Sequence, residues 1–307
     1  MPALNSRKSL RSGFVWTLAG NGLYAVSQWA MLSLAAKLGG RDMLGEYALA
    51  VALTAPVAML LHMNLRAVLA TDVAGERPFG DYLAVRFGIS ALGLAAMAGL
   101  ALSFGRSAEM VSVIFLTGLA QTSETLSDAY YGAMQRRDEM DRIALSMMAR
   151  GLFSAGAFGA ALWLSRSLVW AVAASAPVRL LVLTAYDRPA GSRGEDSGWR
   201  RTTWAGARGI LRQAAPLGAV LMLVSLNTNL PRYVIENRMG VGELGAFAAV
   251  ASFVTAGSTV VNSLGHAAMP KLARLANERR PADFLRAKFA YQAAQQEPGS
   301  QEREEGK

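Results

Sequence analysis

An all-α polytopic membrane protein is the fold class that this sequence of 307 residues predicts, and three observations carry that reading. Hydrophobic residues make up 52% of the chain and charged residues only 17%, with a mean hydropathy of +0.25, which is too apolar for a soluble protein of this length. Apolar runs close to the roughly 20 residues that a bilayer requires follow one another along the chain. Lysines and arginines collect in the gaps between those runs, so the net charge of +9 speaks of membrane orientation and not of nucleic acid.

The runs place helices over 14–38, 44–65, 82–104, 110–134, 143–164, 168–186, 213–235 and 244–264, giving about eight spans. Arg7, Lys8 and Arg11 ahead of the first run imitate the start of a signal peptide. The run itself is longer than a signal core and lacks a small-residue cleavage site, so it reads as a retained helix.

Orientation follows from the connections, because lysine and arginine accumulate on the cytoplasmic side of short loops. With the N-terminus inside, the inner segments hold Arg7, Lys8, Arg11, Arg77, Arg136, Arg137 and Arg142, the arginine cluster at 188–212 and the basic cluster at 271–288. The outer segments hold Lys37, Arg41, Arg106, Arg166, Arg232 and Arg238, a smaller set, which predicts a cytoplasmic N-terminus. There is no cysteine, hence no disulfide and no thiolate metal site, and His62 and His266 lie far apart in the sequence. No metal or other cofactor is expected.

A repeat divides the chain. Gly40, Leu44, Gly45, Tyr47 and Ala48 recur with identical spacing as Gly240, Leu244, Gly245, Phe247 and Ala248, each set at the junction of a helical hairpin. Helices 7 and 8 then repeat helices 1 and 2, as in transporters made of two like halves. The predicted organisation is a six-helix bundle over 1–186, a Gly-, Ser- and Arg-rich cytoplasmic linker over 187–212, and the first hairpin of a second bundle over 213–270. An amphipathic stretch and a polar, disordered tail over 271–307 complete it. A full second half would run to about residue 400, by adding one repeat length to the first, so the chain is expected to stop short of it.

Two stretches hold polar groups where lipid-compatible residues are expected. SLNTNLPRYVIE at 225–236 places Ser225, Thr228 or Asn229, Arg232 and Glu236 on one helical face. Pro231 within it cannot donate to the carbonyl of Asn227, which predicts a kink and a freed backbone oxygen. In helix 4, Gln121, Glu124, Asp128, Tyr131 and Gln135 share a face, with two carboxylates one turn apart. Such a pair is a candidate carrier of a proton or sodium ion; the alternative is that each carboxylate pairs with Arg86, Arg142 or Arg150 and holds helices together.

Thr17, Asn21, Tyr24 and Gln28 form a polar stripe on helix 1, and Thr255, Thr259, Asn262 and His266 form one on helix 8. Stripes on equivalent helices of two repeats predict a shared cavity, although single hydroxyls and amides also serve as helix glue. Asn64, Arg66 and Asp72 close helix 2, with Arg66 placed either to snorkel or to gate. Arginines beside a cavity, Arg66, Arg86, Arg150, Arg179 and Arg232, favour an anionic ligand through bidentate contacts with phosphate.

The segments WTLAGNGLYAVSQWAMLSLAAKLG, NLRAVLATD, ETLSDAYYGAMQRRDEMDRIA and SLNTNLPRYVIE resemble the polysaccharide flippases of the multidrug/oligosaccharidyl-lipid/polysaccharide (MOP) exporter superfamily. The resemblance covers 10–290. It implies two six-helix bundles set in a V around a cationic cavity, alternating access and ion coupling, in the bacterial inner membrane. It further implies an undecaprenyl-pyrophosphate-linked oligosaccharide as substrate. Arg66, Arg86, Arg150 and Arg232 would then attract pyrophosphate or acidic sugars, Asn21, Asn227, Asn229 and Asn262 would bind hydroxyls, and Glu124 with Asp128 would carry the coupling ion. A drug/cation antiporter on the same scaffold and an inactive truncated remnant are the alternatives. A membrane-embedded glycosyltransferase is disfavoured, since the largest loop offers only Asp187, Glu195 and Asp196 among arginines, and no enzyme activity is expected.

Overall fold

The computed structural model describes residues 10–71, 78–193 and 203–254, and among these every regular element is helical. The long helix α1, Leu10–His62, is broken at Gly40, whose φ of 80° and ψ of −169° only glycine adopts freely, into limbs 10–39 and 41–62. Left-handed Met63 and Asn64 end it, and the short α2, Leu65–Thr71, follows. Then come α3, Phe79–Phe104, α4, Ala108–Arg136, and α5, Met140–Ser165. Next, α6, Leu168–Val182, runs through a π-helical turn, Leu183–Asp187, into α7, Arg188–Gly191. The chain continues with α8, Trp204–Met239, and α9, Val241–Val254.

The predicted helices thus appear in order, and five stretches are long and apolar enough to cross a membrane, the first of them taking in both limbs of α1. The polar α4 is not among these five. It touches α1, α2, α3, α5, α6 and α7, so its polar face meets protein and not lipid, and the apolar requirement is lifted. The eighth predicted span begins as α9, and its remainder lies outside the described residues. The predicted linker is helical at both described ends, as α7 and as the first turns of α8, because Thr203 caps α8 by accepting from Gly206 N at 3.1 Å.

Gly240 has φ 94° and ψ 175°, close to Gly40, so the two repeats break their helices with the same unusual backbone. The second limb of α1 and α9 then cross at Gly45 and Gly245. A Cβ on Gly45 would collide with the carbonyl of Val241, and one on Gly245 with that of Arg41, the position equivalent to 241. The contact is therefore pseudo-symmetric, and Leu44 and Leu244 beside it are both buried. Two apolar clusters flank the polar middle of the bundle. One is built around Leu69, Tyr82, Met97 and Met134, the other around Met31, Ile114, Phe158 and Leu244.

Candidate functional site

The polar face of α4 organises the interior. Asp128 accepts from Arg86 Nη2 at 3.2 Å, with Arg66 Nη1 at 3.8 Å and His62 Nδ1 at 3.5 Å. Arg86 comes from α3 and its side chain is fully buried. Its Nη1 donates to the carbonyls of Leu61, at 2.8 Å, and His62, at 3.4 Å. Those carbonyls belong to the last turn of α1, where Met63 and Asn64 stop the helix and leave acceptors without helical partners. One guanidinium thus ends a helix and neutralises a carboxylate, which a lysine's point charge does not do.

Arg66 Nε donates to Gln135 Oε1 at 2.8 Å, and its guanidinium lies 5.5 Å from the centre of the Tyr131 ring. Arg150, on α5, lies 5.6 Å from the same ring, so Tyr131 shares its π electrons with two cations. Arg150 also donates to Ser127 and, at 2.6 Å, to Asp187 Oδ2. Ser146 gives its hydroxyl hydrogen to Asp187 Oδ1 at 2.5 Å. Its remaining capacity is as an acceptor, so Tyr131 Oη is the donor in their 2.7 Å contact.

Asp187 is wholly buried. The π-helical turn over Leu183–Asp187 adds a residue to that turn, and with it the side chain of Asp187 reaches the bundle interior. Sequence reasoning missed Asp187 by assigning it to the linker. The available signal was a largely apolar run whose ionisable residues, Arg179 and Asp187, stand within two helical turns or so of each other.

One turn along α4 from Asp128, Glu124 Oε1 meets Arg179 Nη1 at 3.3 Å. This pair lies in the wall of a cavity of about 250 Å³ bounded by both limbs of α1, α4 and α6. Gln28 of the predicted helix 1 stripe lines it, with Thr117, Gln121 and Tyr47. Gln121 donates to Thr54 Oγ1 at 2.8 Å. Gln28 Nε2, Thr117 Oγ1 and Arg179 Nε have no partner among the described residues, so the cavity offers buried polar atoms to a guest.

The stretch at 225–236 forms a second polar patch, on α8, and that helix continues through Pro231. Asn229 is buried, donates to the Ser225 carbonyl at 2.8 Å, and accepts from Arg232 Nη1 at 2.7 Å. Tyr233 Oη donates to the Ala52 carbonyl at 2.6 Å, and Glu236 pairs with Arg106 at 3.0 Å. Ser225, Asn229 and Arg232 are linked as the spacing predicts. Thr228 is exposed and turns back to the Val224 carbonyl at 2.9 Å.

Of the predicted site residues, Arg66 and Arg86 meet Asp128, Arg66 and Arg150 share the Tyr131 ring, and Glu124 lies one turn along α4 from Asp128. Asn229 and Arg232 join on α8. Asn21 and Asn227 are exposed, and Asn262 lies outside the described residues, as do Asp72 and the helix 8 stripe. Of the alternative pairings, Asp128 takes Arg86, whereas Glu124 takes Arg179 and Arg150 takes Asp187.

The helical membrane bundle shares its fold with solved transporter structures. Solved structures with this fold include a MATE in complex with MaD3S, with a TM-score of 0.57 and 15% identity over 91% of this chain and 67% of that one. A MOP superfamily transporter from Pyrococcus furiosus, described as having a binding pocket of reverse polarity, matches with a TM-score of 0.57 and 15% identity over 91% of this chain and 66% of that one. An outward-facing MATE family multidrug resistance transporter gives a TM-score of 0.56 at 15% identity, covering 93% and 69%. Among curated proteins, the chain is 23% identical over 272 residues to the capsular polysaccharide biosynthesis protein CapF of Staphylococcus aureus, covering 88% of this chain and 68% of that protein. No protein-family model matches the chain.

Proposed function

We propose that the protein takes part in moving a lipid-linked oligosaccharide, of the undecaprenyl-pyrophosphate type, across the bacterial inner membrane for surface polysaccharide synthesis. The observation that carries this reading is the excess of guanidinium groups inside the bundle. Among the described residues, the ion pairs of Arg66, Arg86, Arg150 and Arg179 are with Asp128, Asp187 and Glu124, an excess of positive charge suited to an anionic guest. The likeness to a capsular polysaccharide biosynthesis protein supports the glycan.

The pairing also ranks the candidate residues. Arg86 and Arg150 are committed to carboxylates and serve to assemble the bundle. Arg232 has the amide of Asn229 as its hydrogen-bond partner, so its guanidinium retains donors for a phosphate. Glu124 borders the cavity and is part-exposed, which makes it the better candidate of the two carboxylates for a coupling proton or sodium ion. Membrane lipid surrounds the apolar helices, and the arginine excess of the inner loops supports a cytoplasmic N-terminus.

The test is a cell in which Arg232→Ala is the sole copy. Lipid-linked glycan accumulates on the cytoplasmic face if the reading holds, whereas normal surface glycan removes Arg232 from the site. The likeness to MATE structures favours drug/cation antiport as the second reading, and drug efflux by cells expressing the chain without any glycan phenotype decides for it.

A further inference from the structure

The helix that opens the second repeat, α8, is tied to α3 at both of its ends. At one end, Asp81 in the first turn of α3 is almost fully buried, and its Oδ1 accepts from the backbone N–H of Thr203 at 2.8 Å. Its Oδ2 accepts from Thr203 Oγ1 at 3.5 Å. Thr203 is the cap of α8, so a carboxylate of the first bundle sits on the positive end of a 36-residue helix. Gly206 makes room for it, since a Cβ at that position would overlap Asp81 Oδ2 and lie 2.9 Å from Asp81 Cγ. At the other end, Arg106, just beyond α3, holds Glu236 in the last turn of α8 at 3.0 Å.

The two ties differ in kind. The Asp81 contact is buried and uses an N–H and a hydroxyl, with no ion pair to Asp81 among the described residues. A carboxylate held in this way recovers its hydration when water enters, so the contact is tight when closed and readily reversible. The Arg106 contact has an exposed guanidinium, a weak closure in water.

We propose that Asp81 is a latch: its grip on the first turn of α8 closes that end of the interface between the repeats, and its release opens that end while the contact of Arg106 with Glu236 at the other end stays in place. This rests on the transport reading for its purpose, but not for its test.

The natural chain has no cysteine, so single cysteines report accessibility without background. Ala214, fully buried on α8 toward the Asp81 end, and Leu244, fully buried on α9 toward the Glu236 end, are replaced one at a time by cysteine. Each is challenged with a membrane-impermeant maleimide in inside-out and right-side-out vesicles. Asp81→Ala is expected to raise labelling of the cysteine at 214 severalfold from one side only and to leave that at 244 unchanged. Gly206→Val, whose side chain crowds the carboxylate out while residue 81 stays aspartate, does the same, and Glu236→Gln shows the converse pattern. Unchanged labelling at 214 in both Asp81→Ala and Gly206→Val overturns the latch. So does an equal rise at 214 and 244, which signals a loosened fold. A chain that opens as described but moves no glycan refutes the transport reading alone, and one that moves glycan with unchanged labelling refutes the latch alone.

Discussion

Gly45 and Gly245 meet where the second limb of α1 crosses α9, so close that a Cβ on Gly245 would lie 3.1 Å from the backbone nitrogen of Gly45. The two residues occupy the same place in the repeat and face each other's hairpin. Gly245→Leu is expected to destabilise the protein by about 1–3 kcal/mol, the usual cost of overpacking a close contact. Gly156→Ala, on α5 with open space around it, is expected to be neutral or slightly stabilising. Thermal midpoints of the detergent-purified variants check both, and a Gly245→Leu protein as stable as the parent refutes the crossing.

Arg86 and Asp128 form a pair whose halves are not independently removable. Arg86→Met leaves the buried Asp128 to its longer contacts with Arg66 and His62 and strands the Leu61 and His62 carbonyls, with an expected loss of about 3 kcal/mol. The double variant Arg86→Met with Asp128→Leu is expected to recover part of it, since both charges are then absent. A double-mutant cycle on unfolding free energy measures the coupling, and strict additivity counts against the pair.

Tyr131→Phe and Asp187→Asn separate hydrogen bonding from charge within one network. The first removes a single donor to Ser146 and keeps the ring under Arg66 and Arg150, costing about 1 kcal/mol. The second leaves Arg150 without its carboxylate and is expected to cost clearly more. Equal losses in urea or thermal unfolding contradict the central place of Asp187.

Glu124→Gln distinguishes a working carboxylate from a structural one. Glu124 borders a cavity and is part-exposed, and although Arg179 is buried the amide of a glutamine still offers its guanidinium an acceptor, so stability is expected to fall by only about 1–2 kcal/mol. Surface glycan is nevertheless expected to drop when this variant is the sole copy, whereas Asp128→Asn lowers stability first. Full glycan display with Glu124→Gln rules out coupling through this residue.

Much of this protein follows from local rules acting on the sequence. Period and apolar content determine the helices. The spacing from Gln121 to Gln135 determines that one face of α4 is polar, and the matched glycines at 40 and 240 determine where each hairpin turns, because their φ of 80° and 94° with ψ of −169° and 175° is a backbone open essentially to glycine. Only the tertiary structure decided which cation meets which carboxylate. Periodicity assigns a residue to a face but says nothing of the helix opposite, so Glu124 with Arg179 and Arg150 with Asp187 depended on how α4, α5 and α6 pack. The same reason explains Asp187, which read as the start of a linker until the π-helical turn beyond α6 carried it into the bundle.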